Sequence, residues 1–262
     1  MKRIHLFEFE DQEWLPSFLR DYMTDFLSHL AKSLNIYKPI IPLLEKGLKS
    51  SHKNIVLDLG SGAGGGWNKL SSLLKERNPN TQILLTDYFP NKTSFYKFNK
   101  DIQNLRYIKD SIDARDVPQS LNGLRTLFLV FHHFRPKDAL LILQNSVNAN
   151  QPIAIIEGQE RSLLSIIGMI FSPITLFLTT PLIKPFEFKR IIFTYIIPIL
   201  PLLVLWDGIV SCLRTYSINE LKELVLRVNG NETFNWEIDK LKSGTGKILY
   251  LLGTTKENTD TL

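Results

Sequence analysis

Residues 60–66 read GSGAGGG, five glycines in seven positions, directly after the apolar run Ile55, Val56, Leu57 and Leu59 that carries Asp58. Glycines weaken a strand interior, so the strand stops at Gly60. Leu70, Leu73 and Leu74 then recur at helical spacing from Trp67 to Arg77, so the glycines form a tight turn into a helix start. Backbone N–H groups at such a turn face outward and bind polar ligand groups. Two further carboxylates close apolar runs, Asp87 after Gln82 to Thr86 and Asp113 after Leu105 to Ile112, with Ala114 beside the second. His132 and His133 follow another such run in the sequence FHHF, and imidazoles so placed could take a proton from a reacting group. Asp207, between Trp206 and Gly208 at the end of an apolar run, is a second candidate for that work, or a cap for the following helix.

These residues need elements to hold them. The periodicity predicts strands at Asn54 to Leu59, Gln82 to Thr86, Leu105 to Ile112, Thr126 to Phe131 and Pro152 to Glu157, with helices at Trp67 to Arg77 and Pro136 to Val147. Strand alternating with helix gives a parallel sheet with right-handed crossovers, and ligands bind outside the carboxyl ends of its strands. Gly60, Asp87, Asp113, His132 and Glu157 all fall on that edge. Ser217, with Glu220 three residues on, makes a capping box before Leu221, Leu224 and Val225. Thr233 to Leu241 and Lys247 to Leu252 then predict an antiparallel hairpin.

Gly60, Gly62 and Gly65 satisfy the dinucleotide pattern G-x-G-x-x-G, which is weak by itself. Asp87 stands where a ribose would lie in any nucleotide fold of this kind. The acidic turn at Asp113, the FHHF sequence and the terminal hairpin separate the alternatives. Together they resemble the class I methyltransferases that use S-adenosylmethionine, over roughly residues 54–158 and 217–254. That resemblance implies an α/β fold, Rossmann-like, with a seven-stranded sheet ending in an antiparallel hairpin. It implies S-adenosylmethionine as cofactor, with Asp58, Gly60, Ser61, Gly62 and Gly64 at the methionine part, Asp87 at the ribose hydroxyls, and Asp113 with Ala114 at the adenine. FHHF resembles the Leu-His-His end of the fourth strand in small-molecule members, which makes His133 and His132 the catalytic candidates, although such histidines often only shape the site. Base-modifying relatives carry Asp or Asn followed by two prolines and an aromatic there. FHHFRP lacks this, so no nucleic-acid partner is expected.

Two segments lie outside that core. Residues 1–50 carry Leu15, Phe18, Leu19, Tyr22, Met23, Phe26, Leu27 and Leu30 at i, i+3, i+4 and i+7, a helix with one buried face. The resemblance implies a lid over the donor site; packing on the sheet is the alternative. Residues 159–216 are an insertion within the domain 51–262. No charge occurs from Leu163 to Ile183 or from Ile191 to Trp206, with Lys184, Glu187, Lys189 and Arg190 between. The first run has the length to cross a bilayer. Because the last hairpin must rejoin the sheet, a double crossing would leave the basic loop on the far side, against the positive-inside tendency. A monotopic contact, with Phe186, Phe188, Tyr195 and Trp206 as anchors, keeps the lysines beside cytoplasmic headgroups. Buried helices around an apolar substrate, or a homodimer interface, are the other readings.

With 262 residues, 44% of them hydrophobic, the chain is long enough for one large core. The net charge of +5 is scattered, which speaks against a nucleic-acid-binding arm. Cys212 stands alone, so there is no intrachain disulfide or cysteine-rich metal site, and its apolar neighbours make it a packing residue. The N-terminus turns acidic before any apolar run, so the expected location is cytoplasmic. The expected activity is methyl transfer to a small lipophilic acceptor at a membrane surface. A non-catalytic nucleotide fold that binds a protein through its apolar insertion is the alternative.

Overall fold

The computed structural model describes residues 1–33, 36–62, 64, 66–90, 104–244 and 246–256. They form two compact units, one of Met1–Ile36 with Gln159–Tyr216 and one of Tyr37–Gly158 with Ser217–Leu262. The insertion and the N-terminal helix therefore share one unit. The boundary falls after residue 36, because the helix that follows packs on the sheet.

The sheet unit holds seven strands: β1 Ile55–Leu59, β2 Gln82–Asp87, β3 Leu105–Ser111, β4 Leu124–Phe128, β5 Ile153–Glu157, β6 Phe234–Ser243 and β7 Gly246–Thr255. Their order is β3-β2-β1-β4-β5-β7-β6, parallel from β3 to β5, with β7 antiparallel to both β5 and β6. The central strands are short and apolar because both faces are covered. Every residue of β5 is buried, as are four of the five in β1. The expected fold is present, with one shift: β4 ends at Phe128, and Phe131–His133 is a separate 3₁₀ turn. The histidines are thus carried beyond the strand end and not on it.

Helices α2 (Ile41–Ser51), α3 (Trp67–Arg77), α4 (Pro136–Asn148) and α9 (Ile218–Leu226) belong to the same unit. Proline in the first turn opens α2 and α4, where its missing N–H costs nothing. Helix α4 buries Ala139, Ile142, Leu143 and Ser146, an i, i+3, i+4, i+7 face. In the capping box of α9, Ser217 N–H donates to Glu220 at 2.8 Å and Glu220 N–H donates back to Ser217 Oγ at 3.3 Å.

The other unit contains α1 (Ser17–Ser33), α5 (Leu163–Ile170), α6 (Ser172–Thr179), α7 (Phe188–Ile191) and α8 (Ile199–Arg214). Its core joins Leu15, Leu19, Tyr22, Met23 and Phe26 to Leu176, Ile183, Leu200, Leu203 and Val204. The amphipathic stripe of α1 is buried against the insertion. Among the described residues no single helix is long and apolar enough to cross a membrane. The two apolar runs fold as bent pairs, Leu163–Ile170 with Ser172–Leu182 at 40° and Phe188–Ile196 with Ile199–Arg214 at 79°. A five-residue π-helical stretch and Pro198 make the second break.

Asp207 lies inside α8, so it caps no following helix. Buried, it accepts N–H groups of Phe9 at 2.7 Å and Glu10 at 3.0 Å, and burial pushes its carboxyl up to about 7 against those bonds. Trp206 is half-buried: its indole N–H donates to the Phe7 carbonyl at 3.0 Å, and its ring meets Phe7 and Phe9. Cys212 is buried, and burial first, then Glu8 and Glu160, push its thiol up to about 12.

Candidate functional site

The glycine turn between β1 and α3 is where backbone conformation and residue type meet most closely. Gly60, Gly62 and Gly64 have φ of +72°, +52° and +83°, the left-handed region that disfavours a Cβ. Packing adds a second demand at Gly60, where a Cβ would stand 3.0 Å from Val130 Cγ2. At Gly62 a Cβ would meet nothing within 4 Å among the described residues. Gly65, the last glycine of the pattern, lies outside the described residues.

Gly62 is braced from two strands. Gly62 N–H donates to Asp87 Oδ2 at 2.7 Å, and Tyr107 Oη donates to the Gly62 carbonyl at 3.0 Å. Asp87 Oδ1 accepts the Phe89 N–H at 2.8 Å. Burial raises the Asp87 pKa from the ordinary carboxylate range, with these backbone donors pulling the other way.

Asp58 stands behind the turn. Its Oδ1 accepts from Thr126 Oγ1 and its Oδ2 from Ser61 Oγ, both at 2.7 Å, while Ser61 N–H donates to the Thr86 carbonyl at 2.9 Å. The parallel register that sets Asp58 opposite Thr126 makes the first bond. Asp58 is almost wholly buried, which lifts its carboxyl to about 7 despite the two hydroxyl donors. Both oxygens are engaged by protein, so this carboxylate fixes the shape of the turn from within.

Asp113 begins the turn after β3 and is clasped by Arg115. The guanidinium donates to both carboxylate oxygens, from Nε at 2.9 Å and Nη2 at 2.7 Å, and its Nη1 reaches Asp138 in α4 at 3.1 Å. The Arg115 bonds hold the Asp113 pKa below the usual range. Ala114 is buried, and Ile112 N–H donates to the Asp87 carbonyl at 2.9 Å, so the acidic turn is stitched to the end of β2.

The 3₁₀ turn after β4 completes the edge. His132 N–H donates to Glu157 Oε1 at 2.9 Å, and its Nδ1 lies 2.9 Å from Glu157 Oε2, with both side chains buried. His133 is half-buried, its ring 4.2 Å from that of His132. Leu129, just past β4, has φ of +55°, a strained value for leucine of the sort that functional edges retain.

The structure thus joins His132 to Glu157 and engages all three aspartates with protein: Asp87 with the Gly62 and Phe89 N–H groups, Asp58 with Ser61 and Thr126, and Asp113 with Arg115. In the sequence Glu157 falls on this edge without a role, Thr126 only opens a predicted strand, and Tyr107 only lies within one. A carboxylate ending a wholly apolar strand was the available signal for Glu157. Nothing in the chain near Thr126 or Tyr107 distinguishes them from ordinary strand residues.

No family model matches the chain, and no curated protein matches it in sequence. Solved structures share its fold, which is that of the class I methyltransferases. The O-methyltransferase NcsB1 from neocarzinostatin biosynthesis, crystallised with S-adenosylmethionine and 2-hydroxy-5-methyl naphthoic acid, aligns over 89% of this chain at 16% identity and a TM-score of 0.52. The chain spans 57% of that protein's length. Human N-acetylserotonin methyltransferase in complex with S-adenosylmethionine aligns over 98% of this chain and 63% of its own, at 14% identity and TM-score 0.50. The plantazolicin methyltransferase BpumL, in complex with a pentazolic desmethylplantazolicin analogue and S-adenosylhomocysteine, aligns over 92% of this chain and 99% of its own, at 11% identity and TM-score 0.54.

Proposed function

We propose that this chain is an S-adenosylmethionine-dependent methyltransferase acting on a small lipophilic acceptor at the cytoplasmic face of a membrane. The observation that carries the reading is Gly62: a left-handed glycine with no described side chain over its Cα, its N–H held by Asp87 and its carbonyl by Tyr107. The donor fits this edge. Asp87 would take the ribose hydroxyls on the lone pairs that Gly62 N–H and Phe89 N–H leave to it, the left-handed turn at Gly62 would border the methionine part, and the turn at Asp113 and Ala114 the adenine. S-adenosylmethionine, when bound, supplies a methyl group already activated on a sulfonium.

What remains for the chain is to orient the acceptor, exclude water and receive a proton where the acceptor carries one. The Glu157 carboxylate fixes the ring of His132 through Nδ1, which makes Nε2 the ring's basic nitrogen. His132 and the adjacent His133 are assigned the proton-handling role. Replacing Glu157 by Gln should lower turnover and shift its pH profile while leaving donor affinity unchanged.

The membrane part of the reading is supported by the insertion. Among the described residues, most of the exposed large apolar side chains lie between Leu163 and Leu202, including Leu164 at 78% and Leu178 at 73% exposure. Soluble monomers rarely leave so much apolar surface in one stretch. A lipophilic acceptor would reach the protein from such a surface.

Calorimetric titration with S-adenosylmethionine is the primary test, on the wild type, Gly62→Arg and Asp87→Ala. Binding to the wild type that both variants weaken is expected. No heat with the wild type would favour a protein-binding module that keeps the fold without the chemistry. Incubation with labelled donor and with lipid and aqueous host extracts should label the lipid fraction. Flotation of the full chain with vesicles tests the membrane contact.

A further inference from the structure

The loop from Ile183 to Arg190 has buried ends and an exposed middle. Ile183 and Arg190 are each 1% exposed, whereas all six residues between them are exposed, Phe186 at 64% and Phe188 at 68%. Leu182, one residue earlier, is exposed too. Phenylalanine side chains held in water gain nothing there, so the loop's form needs a cause.

Arg190 supplies the means. Its Nη1 donates to the carbonyls of Ile183 at 3.2 Å and Pro185 at 3.1 Å, which ties the loop's end to its beginning. Its Nη2 donates to Asp25 of α1, and its guanidinium carbon lies 4.9 Å over the ring of Tyr22. Burying a guanidinium is costly unless charge and hydrogen bonds compensate. Here the compensation comes from the loop's own backbone and from α1, all within one unit. The loop is therefore held in shape in advance of any contact.

Its exposed chemistry is two aromatic rings on either side of Glu187, with Lys184 and Lys189 outside them, so the exposed segment is net positive. Lysine is depleted at the centres of protein interfaces. Apolar rings entering the acyl boundary, with ammonium groups at the level of lipid phosphates, suit an anionic bilayer. We infer that the Ile183–Arg190 loop is a preformed wedge that enters an anionic membrane interface through Phe186 and Phe188, with Lys184 and Lys189 on lipid headgroups. This rests on the membrane reading above and adds to it the part of the insertion that makes the contact.

The test is flotation of the full chain on phosphatidylserine-containing and on pure phosphatidylcholine vesicles. The double variant Phe186→Ala, Phe188→Ala should lose at least about tenfold in partitioning. The double variant Lys184→Ala, Lys189→Ala should lose roughly tenfold or more on anionic vesicles and little on neutral ones. All four side chains are exposed, so thermal melting should stay at the wild-type value. In Phe186→Trp, brominated lipid should quench fluorescence beyond what the native tryptophans show. A wild-type chain that fails to float overturns the membrane reading and this inference together. A wild type that floats while the phenylalanine variant floats equally well overturns the wedge alone. Self-association that needs Phe186 and Phe188, without vesicle binding, makes the loop a contact between copies and overturns it as well.

Discussion

Strand β5 and helix α5 lie close in the chain and are both dominated by aliphatic residues, IAIIE and LLSIIGMI, but their fates differ. All five residues of β5 are buried, and none of the eight in α5 is. The strand lies between β4 and β7, so its apolar side chains are closed off by neighbours on its own sheet and by the helices over it. The helix ends after eight residues and leaves Leu163, Leu164, Ile167 and Ile170 exposed. Apolar composition therefore states that a segment avoids water, while only its partners decide whether the avoidance is met inside the chain. In the sheet unit it is; in the insertion it is for Leu176, Leu200 and Leu203, which pack with α1, and it is not for α5.

The sharpest way to break this contrast is a pair of truncations. Ile155→Ala should destabilise the fold by about 2–5 kcal/mol, through lost burial and the cavity left behind. Leu164→Ala should stay within about 0.5 kcal/mol. Urea denaturation followed by circular dichroism measures both, and equal losses would erase the distinction.

Next in size is the turn. Gly62→Arg should weaken S-adenosylmethionine binding by about a hundredfold, since the side chain rises from the left-handed turn proposed to border the methionine part. Its effect on stability should stay near the roughly 1–2 kcal/mol that left-handed backbone costs a non-glycine residue. A variant that binds the donor normally would detach the glycines from the ligand.

A smaller effect tests the carboxylate beneath the turn. Burial lifts Asp58 to about 7 in the folded chain, above an ordinary aspartate near 3.8. The folded state then holds the proton more tightly than the unfolded state. The stability this confers is complete below about pH 4 and is lost as pH rises through about 7. Asp58→Asn keeps a side chain of the same shape without the titration, and the hydroxyls of Ser61 and Thr126 can reverse to suit it. The variant should therefore show a stability profile flatter by up to about 1 kcal/mol per pH unit in that window. Parallel profiles would mean that Asp58 is charged in the fold throughout. A further small loss comes from the cap of α9: Ser217→Ala should cost about 1 kcal/mol by thermal melting.

The elements that were legible from the chain are those whose signals are local. Helix α3 has the expected bounds because apolar spacing and the glycines before it mark both its face and its start. The capping box of α9 needs only Ser217 and Glu220. The apolar run carries the predicted β4 three residues past its end, since Leu129, Val130 and Phe131 continue the pattern after pairing has ended. The turn at Leu129 is set by its positive φ and by its N–H on Ile156, neither of which leaves a trace in residue type.

The amino-acid sequence by itself determined the alternating strands and helices, the terminal hairpin, and a glycine turn whose φ values few other residues would accept. Those depend on period and on backbone sterics, which act over a few residues. Tertiary structure alone decided the rest. Asp58 meets Thr126 across 68 positions, Tyr107 meets Gly62 across 45, and Arg190 meets Asp25 across 165. It also decided that the N-terminal helix buries its stripe against the insertion. Such pairings are chosen by which surfaces fit once the elements exist, and a linear pattern carries the need for a partner without its address.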